Sequence, residues 1–372
     1  MAAEMKPVIA ILFPSLRRGG VQRSMTNLAQ SLSKHGYSVY LVVAQVDENF
    51  RSQIPQELGV VNLNARSMFR ALPALVRYLK QDRPACLISS QMHVNLNAII
   101  ACQLSRTDSF LVISEHNDVH SVYRNATTLK GRLVPWLARL LYKKADRIVA
   151  VSGGVADGLA TWLGMDRDKI HVIHNPLVNG RIFQEGSESL DHPWFQSGQP
   201  PVVLTVGRLE KQKDHETLIR AFARVVEQIP VRLVILGEGG LRKTTQALIV
   251  ELGLETLVEL PGFVSNPFAY MGRAAVFVLS SAWEGLPGVL VEAMACGCPL
   301  VSTDCPSGPA EILENGKWGA LVPVGDSDAL SQAILAAIKN PPPEGLQEAA
   351  RQYSIEKGTQ DYLRLLQGMK PG

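Results

Sequence analysis

The sequence predicts an α/β protein built from two doubly wound parallel-sheet domains. Three observations carry this reading. Short, continuous apolar runs alternate with segments of helical spacing along nearly the whole chain, the pattern of strands buried on both faces by crossover helices. Near residue 200 the pattern breaks, then restarts with a second strand–turn–helix series. At 372 residues the chain is also too long for one ordinary core.

In the first half, the apolar run 8–13 leads into Ser15-Leu16-Arg17-Arg18-Gly19-Gly20 and a helical pattern through Met25, Leu28, Ala29 and Leu32, which Gly36 ends. Runs at 39–44, 86–89, 110–114, 147–151 and 170–173 continue the strand series, and residues 1–179 are assigned to the first domain. The polar, Gly/Pro/Ser-rich stretch after them reads as a linker over 180–200. Strands at 202–206, 232–236, 258–260, 274–279 and 300–302 then build a second domain over 201–352. A last helical segment follows Asn340-Pro341-Pro342-Pro343, and residues 353–372 are expected to pack back onto the first domain.

In such sheets ligands sit at the carboxyl ends of the strands. The most informative stretch there is 280–314, SSAWEGLPGVLVEAMACGCPLVSTDCPSGPAEILE. It places Glu284 in a glycine-containing loop and Glu292 eight residues on, in the first turns of a helix. Free N–H groups and the dipole at a helix start favour an anion, and Gly285 and Gly288 let a diphosphate approach the Leu286, Pro287 and Val289 backbone. Carboxylates facing a phosphate would repel it, so Glu284 and Glu292 make better sense as acceptors for sugar hydroxyls on either side. Arg208 and Lys213, five apart in the loop after 202–206, read either as a diphosphate clamp or as solvated charges. Gly19-Gly20 serve packing or ligand approach, and His116, in Glu115-His116-Asn117-Asp118 after strand 110–114, is a candidate catalytic group beside its ordinary surface reading.

Composition narrows the class. Residues 1–180 hold 21 Lys+Arg against 12 Asp+Glu, and residues 181–372 hold 16 against 22, so a basic half (+9) is joined to an acidic one (−6). The first half is thus expected to meet something anionic. The segment 130–147 is basic and amphipathic, with Trp136 and Tyr142 among leucines; it reads as a helix packed on the sheet with a solvated basic face, or as a surface for an anionic membrane. No run reaches the ~20 apolar residues of a spanning helix, and the first residues lack a signal-peptide pattern. Five cysteines give no disulfide framework and point to a reducing compartment. Cys296, Cys298 and Cys305 cluster without a histidine near them in sequence and read as buried small residues, not a zinc site.

The order of pieces resembles the retaining glycosyltransferases of the family that includes sucrose synthase and the phosphatidylinositol mannosyltransferases. The resemblance covers nearly the whole chain: Gly19-Gly20, Val206-Gly207-Arg208-Leu209-Glu210-Lys211-Gln212-Lys213-Asp214, Leu236-Gly237-Glu238-Gly239-Gly240, Pro261-Gly262-Phe263-Val264 and the E-x7-E stretch, all in order. It implies the GT-B fold, two Rossmann-like domains facing across a cleft. It implies that Arg208 and Lys213 hold the nucleotide diphosphate, Glu292 the ribose, Glu284 the donor sugar, and Phe263 and Val264 the base. Gly19, Gly20 and Gly237 join the donor-binding set, and His116 lies near sugar and acceptor. It further implies a metal-independent enzyme without cofactor, which retains anomeric configuration and needs no protein nucleophile.

More narrowly, residues 303–312 and 319–326 resemble bacterial enzymes that extend lipid-linked or surface polysaccharides from UDP-hexoses or UDP-N-acetylhexosamines. The expected acceptor is then a glycan or a polyprenyl-diphosphate-linked sugar, not nucleic acid, and the expected place is the cytoplasm, peripheral at the inner membrane face. A UDP-N-acetylglucosamine 2-epimerase-like isomerase and a non-catalytic partner with a degenerate site are the competing classes. The first would carry additional acid–base groups, whereas the E-x7-E region matches the transferases better.

Overall fold

The structure is a computed structural model that describes residues 7–14, 19–46, 54–126 and 129–369. It divides into two compact units, Met1–Leu177 with Ile355–Gly372, and Val178–Ser354.

The first unit is a seven-stranded parallel sheet: β1 (Val8–Phe13), β2 (Ser38–Val43), β3 (Gly59–Asn62), β4 (Cys86–Ser90), β5 (Phe110–Glu115), β6 (Arg147–Ala150) and β7 (Ile170–Val172). The order β3-β2-β1-β4-β5-β6-β7 makes β1 and β4 the point where the strand order reverses, the place where such sheets open a crevice for ligands. β1 is central, and Ile9 to Phe13 are fully buried, which explains its unbroken apolar run. One core forms where Ile9, Ile11 and Phe13 meet Met25, Leu28 and Leu32 of the helix Gly20–Lys34. Tyr362, Leu365 and Leu366 of the last helix, Ile355–Leu366, join the same core. That helix comes close because Gly358 faces the 174–176 backbone; a Cβ there would stand 3.3 Å from the His174 carbonyl oxygen. β3 has no counterpart among the predicted strands. It is a four-residue edge strand, half-buried, so its sequence shows no sustained apolar run.

The second unit repeats the design with β8 (Val202–Val206), β9 (Arg232–Leu236), β10 (Val258–Gly262), β11 (Val276–Leu279), β12 (Leu300–Thr303) and β13 (Ala320–Val322). All are parallel, in the order β10-β9-β8-β11-β12-β13. The helix His215–Val226 buries Leu218, Ile219, Phe222 and Val225 against this sheet. β13, another short edge strand, escapes the sequence reading as β3 does.

The stretch 180–200 is folded rather than a bare linker. Asn179 caps the helix Gly180–Ser187, its Oδ1 accepting from the Ile182 N–H at 3.3 Å. His192 then packs edge-on against Phe195 and Tyr270. A Cβ at Gly272 would stand 2.2 Å from the Gly186 carbonyl oxygen, so these backbones touch only because glycine is there. The polar composition that suggests a linker is that of a half-buried helix and turn. The Val178 N–H donates to the Tyr353 carbonyl at 3.0 Å, so the two places where the chain passes between units are adjacent.

Candidate active site

In the second unit the candidate residues gather at the carboxyl ends of β8 and β11. The Lys211–Lys213 turn is stitched to the 280–283 segment by three bonds. Ser280 Oγ donates to the Lys213 carbonyl (2.8 Å), the Ala282 N–H to the Gln212 carbonyl (2.8 Å), and Gln212 Nε2 to the Trp283 carbonyl (2.9 Å). With its stem lying over Gly207, Lys213 reaches Glu284 and pairs with Oε1 at 2.5 Å. Ser281 Oγ donates to the same oxygen at 2.6 Å. Both charges are largely buried, and removing one partner of such a pair costs about 3–5 kcal/mol.

Lys213 therefore engages Glu284, not Arg208 as a second jaw. Arg208 is exposed and pairs with Glu210 at 3.1 Å, because its side chain leaves the loop on the solvent side. The glycine loop lies directly beyond Glu284. It is backed by the Ser307–Gly308 turn, where Gly308 has φ +96° and a Cβ would fall 2.8 Å from the Gly285 carbonyl oxygen and 2.5 Å from Pro287. The helix Gly288–Ala295 then begins with no side-chain cap; the Leu290 N–H donates to the Pro287 carbonyl at 3.0 Å, and no capping side chain occupies the N–H groups of the first turn. Glu292 is buried in this helix.

Gly237, after β9, has φ +141°, and a Cβ there would stand 2.0 Å from the Gly207 carbonyl oxygen. Glycine is required at this position by the packing of the two loops. Phe263, just past β10, is 58% exposed, a large apolar ring at the same sheet edge, with Val264 half-buried beside it.

In the first unit His116 directly follows β5 and is buried. Its Nε2 lies 3.1 Å from Ser114 Oγ, while Nδ1 has no protein partner among the described residues. Burial lowers its pKa to about 4, so the ring is neutral at neutral pH. The preceding Glu115 faces the other side of the sheet. Its Oε1 accepts from Asn95 Nδ2 at 2.9 Å and from the Tyr142 hydroxyl, and burial, the largest influence, raises it to about 7. Asp118 caps the helix Val119–Arg124. Gly19 and Gly20 open the helix Gly20–Lys34 and are exposed; among the described residues a Cβ on Gly20 would meet nothing within 4 Å. Ser15 to Arg18 lie outside the described residues.

Sequence reasoning missed Ser281, Gln212, Asn95 and Tyr142. Their types are ordinary and their partners are 71, 20 and 27 residues away for Gln212, Asn95 and Tyr142, while Ser281 acts three residues from Glu284 in a loop without helical or strand periodicity. Among the described residues no group of three or more His, Cys, Asp or Glu side chains is placed to hold a metal ion.

The sequence as a whole matches a known family. A family model described as "Glycosyl transferases group 1" matches residues 188–357, and one described as "Glycosyltransferase Family 4" matches residues 18–178. The chain belongs to the group 1 glycosyltransferases. It is 31% identical over 343 residues to a Campylobacter jejuni N-acetylgalactosamine-N,N'-diacetylbacillosaminyl-diphospho-undecaprenol 4-alpha-N-acetylgalactosaminyltransferase, covering 89% of this chain and 90% of that one. It is 32% identical over 243 residues to the lipopolysaccharide core biosynthesis glycosyltransferase LpsE of Rhizobium meliloti, covering 63% and 68%. Among solved structures, HepE of Anabaena in complex with UDP and glucose superposes with a TM-score of 0.80 at 20% identity, over 97% of this chain and 100% of that one. Sucrose-phosphate synthase of Thermosynechococcus elongatus gives 0.82 at 19%, over 97% and 98%. The fold is thus GT-B, with each unit a parallel α/β sheet, and the chain is a glycosyltransferase of bacterial glycan biosynthesis.

Proposed function

We propose that this glycosyltransferase moves a hexose or N-acetylhexosamine from a UDP-sugar to a lipid-linked or polysaccharide acceptor, with retention and without a metal. The observation that carries the reading is the fixed Lys213–Glu284–Ser281 cluster beside an uncapped helix start. Glu284 Oε1 is held by Ser281 and Lys213, which leaves Oε2 to accept from a hydroxyl of the donor sugar. The Gly285–Gly288 backbone, Arg208 and Lys213 meet the charge that grows on the leaving diphosphate. Phe263 and Val264 meet the base, and Glu292 the ribose. The bond from the anomeric carbon to the diphosphate breaks while one to the acceptor oxygen forms on the same face. The acceptor proton passes to the leaving phosphate, so no protein nucleophile is needed.

Lipid-linked acceptors are named for the Campylobacter relative. They fit an outward face on the helix Leu129–Leu141, where Leu133, Trp136 and Leu140 are exposed at helical spacing beside exposed Arg139, Lys143 and Lys144. The stretch 129–145 contains five Lys or Arg and no acidic residue. We place the protein peripherally on an anionic leaflet at the cytoplasmic side, through this face. Among the described residues no helix is long and apolar enough to cross a membrane.

The test is a transfer assay with UDP-GlcNAc, UDP-GalNAc and UDP-glucose against short-chain polyprenyl diphosphate sugars, with product configuration read by NMR. An α-linked product made in the presence of a chelator is expected. An inverted product, or activity that vanishes with the chelator, contradicts the reading. Interconversion of the UDP-sugar without acceptor would show an isomerase instead.

A further inference from the structure

The two cations assigned above to the diphosphate are held very differently. Arg208 and Glu210 pair with side chains 65% and 44% exposed, and an ion pair in solvent is easily parted. Lys213 and Glu284 pair with side chains only 16% and 8% exposed. If Lys213 leaves, Glu284 keeps the Ser281 hydroxyl at 2.6 Å, but a buried carboxylate has lost its countercharge.

The backbone around this pair is fixed. Three hydrogen bonds join the Lys211–Lys213 turn to the 280–283 segment. Asp214, at φ +44°, anchors the other side of the turn: its Oδ2 accepts from the Thr217 hydroxyl at 2.7 Å. The lysine stem lies along Gly207, where a Cβ would stand 3.3 Å from Cγ and 3.4 Å from Cδ and Cε. The ammonium at its end has three donors and a flexible stem. Gly285, the residue after Glu284, begins the loop assigned to the diphosphate, so an ammonium seated on Glu284 stands at the start of that loop. Lys213 can thus change partner by a side-chain turn on an unmoved frame.

We propose that Lys213 alternates between Glu284 and the diphosphate, and that this exchange makes the site favour a nucleotide diphosphate carrying a sugar over the spent nucleotide. UDP draws Lys213 away and leaves Glu284 under-compensated. A UDP-sugar draws Lys213 away too, but its hydroxyls donate to the carboxylate in the lysine's place. After transfer the sugar has gone with the acceptor, Lys213 returns to Glu284, and the grip on UDP weakens. The inference rests on the proposed function above and adds to it a discrimination between donor and product.

The test is calorimetry of the full chain with UDP and with whichever of UDP-GlcNAc, UDP-GalNAc and UDP-glucose the wild type transfers. The proteins are wild type, Glu284→Gln, Lys213→Met and the double variant. Glu284→Gln releases Lys213, so it is expected to bind UDP about tenfold or more tightly than wild type, the scale of one charge-assisted hydrogen bond. The UDP-sugar should show no such gain. In the Lys213→Met background the same substitution is expected to change UDP affinity by less than about threefold. UDP affinity unchanged or weakened in Glu284→Gln overturns the inference. So does an equal gain for the UDP-sugar, or an equal gain without Lys213, which would be plain repulsion between Glu284 and the phosphates. A second measurement leaves the buried pair intact. In 15N-lysine-labelled wild type the Lys213 ammonium resonance, assigned by its absence in Lys213→Arg, is expected to move at saturating UDP; an unmoved resonance overturns the exchange. If the wild type binds UDP and transfers sugar while Glu284→Gln gains nothing for UDP, this inference alone fails. If the wild type binds no uridine nucleotide, the proposed function fails with it.

Discussion

Glu284 is the residue through which most of the second-unit site is connected. One of its oxygens is saturated by Lys213 and Ser281, so a substitution tests both chemistry and packing. Glu284→Gln keeps the shape and is expected to lower kcat/KM for transfer by more than about 100-fold, on the scale of one transition-state contact; near-normal turnover would remove its role. Ser281→Ala leaves the Lys213 pair in place and should cost about two- to tenfold. In the first unit, Glu115 gives a pH signature. Its folded pKa of about 7 lies above its ordinary 4.5, so the folded state binds more protons between those values. Its stabilising contribution is present below pH 4.5 and is lost as pH rises through 7. Glu115→Gln is expected to flatten that decline, by about 3 kcal/mol between pH 5 and 8, in urea titrations at several pH values. An unchanged pH slope contradicts it.

At the scale of elements, the strand ends and turns that carry the site were legible for definite reasons. Central strands such as β1 and β8 are buried on both faces and so write continuous apolar runs; the short, half-buried edge strands β3 and β13 leave no such run in the sequence. The E-x7-E loop showed itself because glycine, proline and carboxylate fall between a buried strand and a helix. The Lys213–Glu284 bond did not, since it joins residues 71 apart and the loop gives no period to follow. Likewise, the polar stretch 180–200 conceals a capped helix whose close approach depends on Gly186 and Gly272. Gly237 marks where packing demands a glycine: a methyl group there meets the Gly207 carbonyl at a backbone angle that L residues rarely adopt. Gly237→Ala is expected to destabilise by about 2–4 kcal/mol in chemical denaturation, whereas Gly20→Ala, whose added methyl meets nothing within 4 Å among the described residues, should leave stability nearly unchanged. A stable Gly237→Ala protein would contradict the packing.

For the whole molecule, the charge asymmetry between halves and the exposed Leu133, Trp136 and Leu140 of the helix Leu129–Leu141 are the two observations behind the proposed peripheral placement on an anionic surface. Trp136 is its natural reporter. Its fluorescence should shift to the blue on vesicles containing anionic lipid and not on neutral ones, and high salt should weaken binding. Leu133→Ser with Leu140→Ser should reduce that binding at least tenfold without altering turnover on a water-soluble acceptor. Binding unaffected by those changes would move the contact elsewhere. The central proposal is that the second unit binds a uridine diphosphate sugar without a metal, the diphosphate held by the Gly285–Gly288 backbone and by cations. Calorimetric titration of the protein with UDP, GDP and ADP, with and without a chelator, tests it most directly. UDP is expected to bind in preference to the others, with an affinity unchanged by the chelator and weakened in Arg208→Ala. Preference for GDP or ADP, dependence on a divalent ion, or no nucleotide binding at all would contradict it.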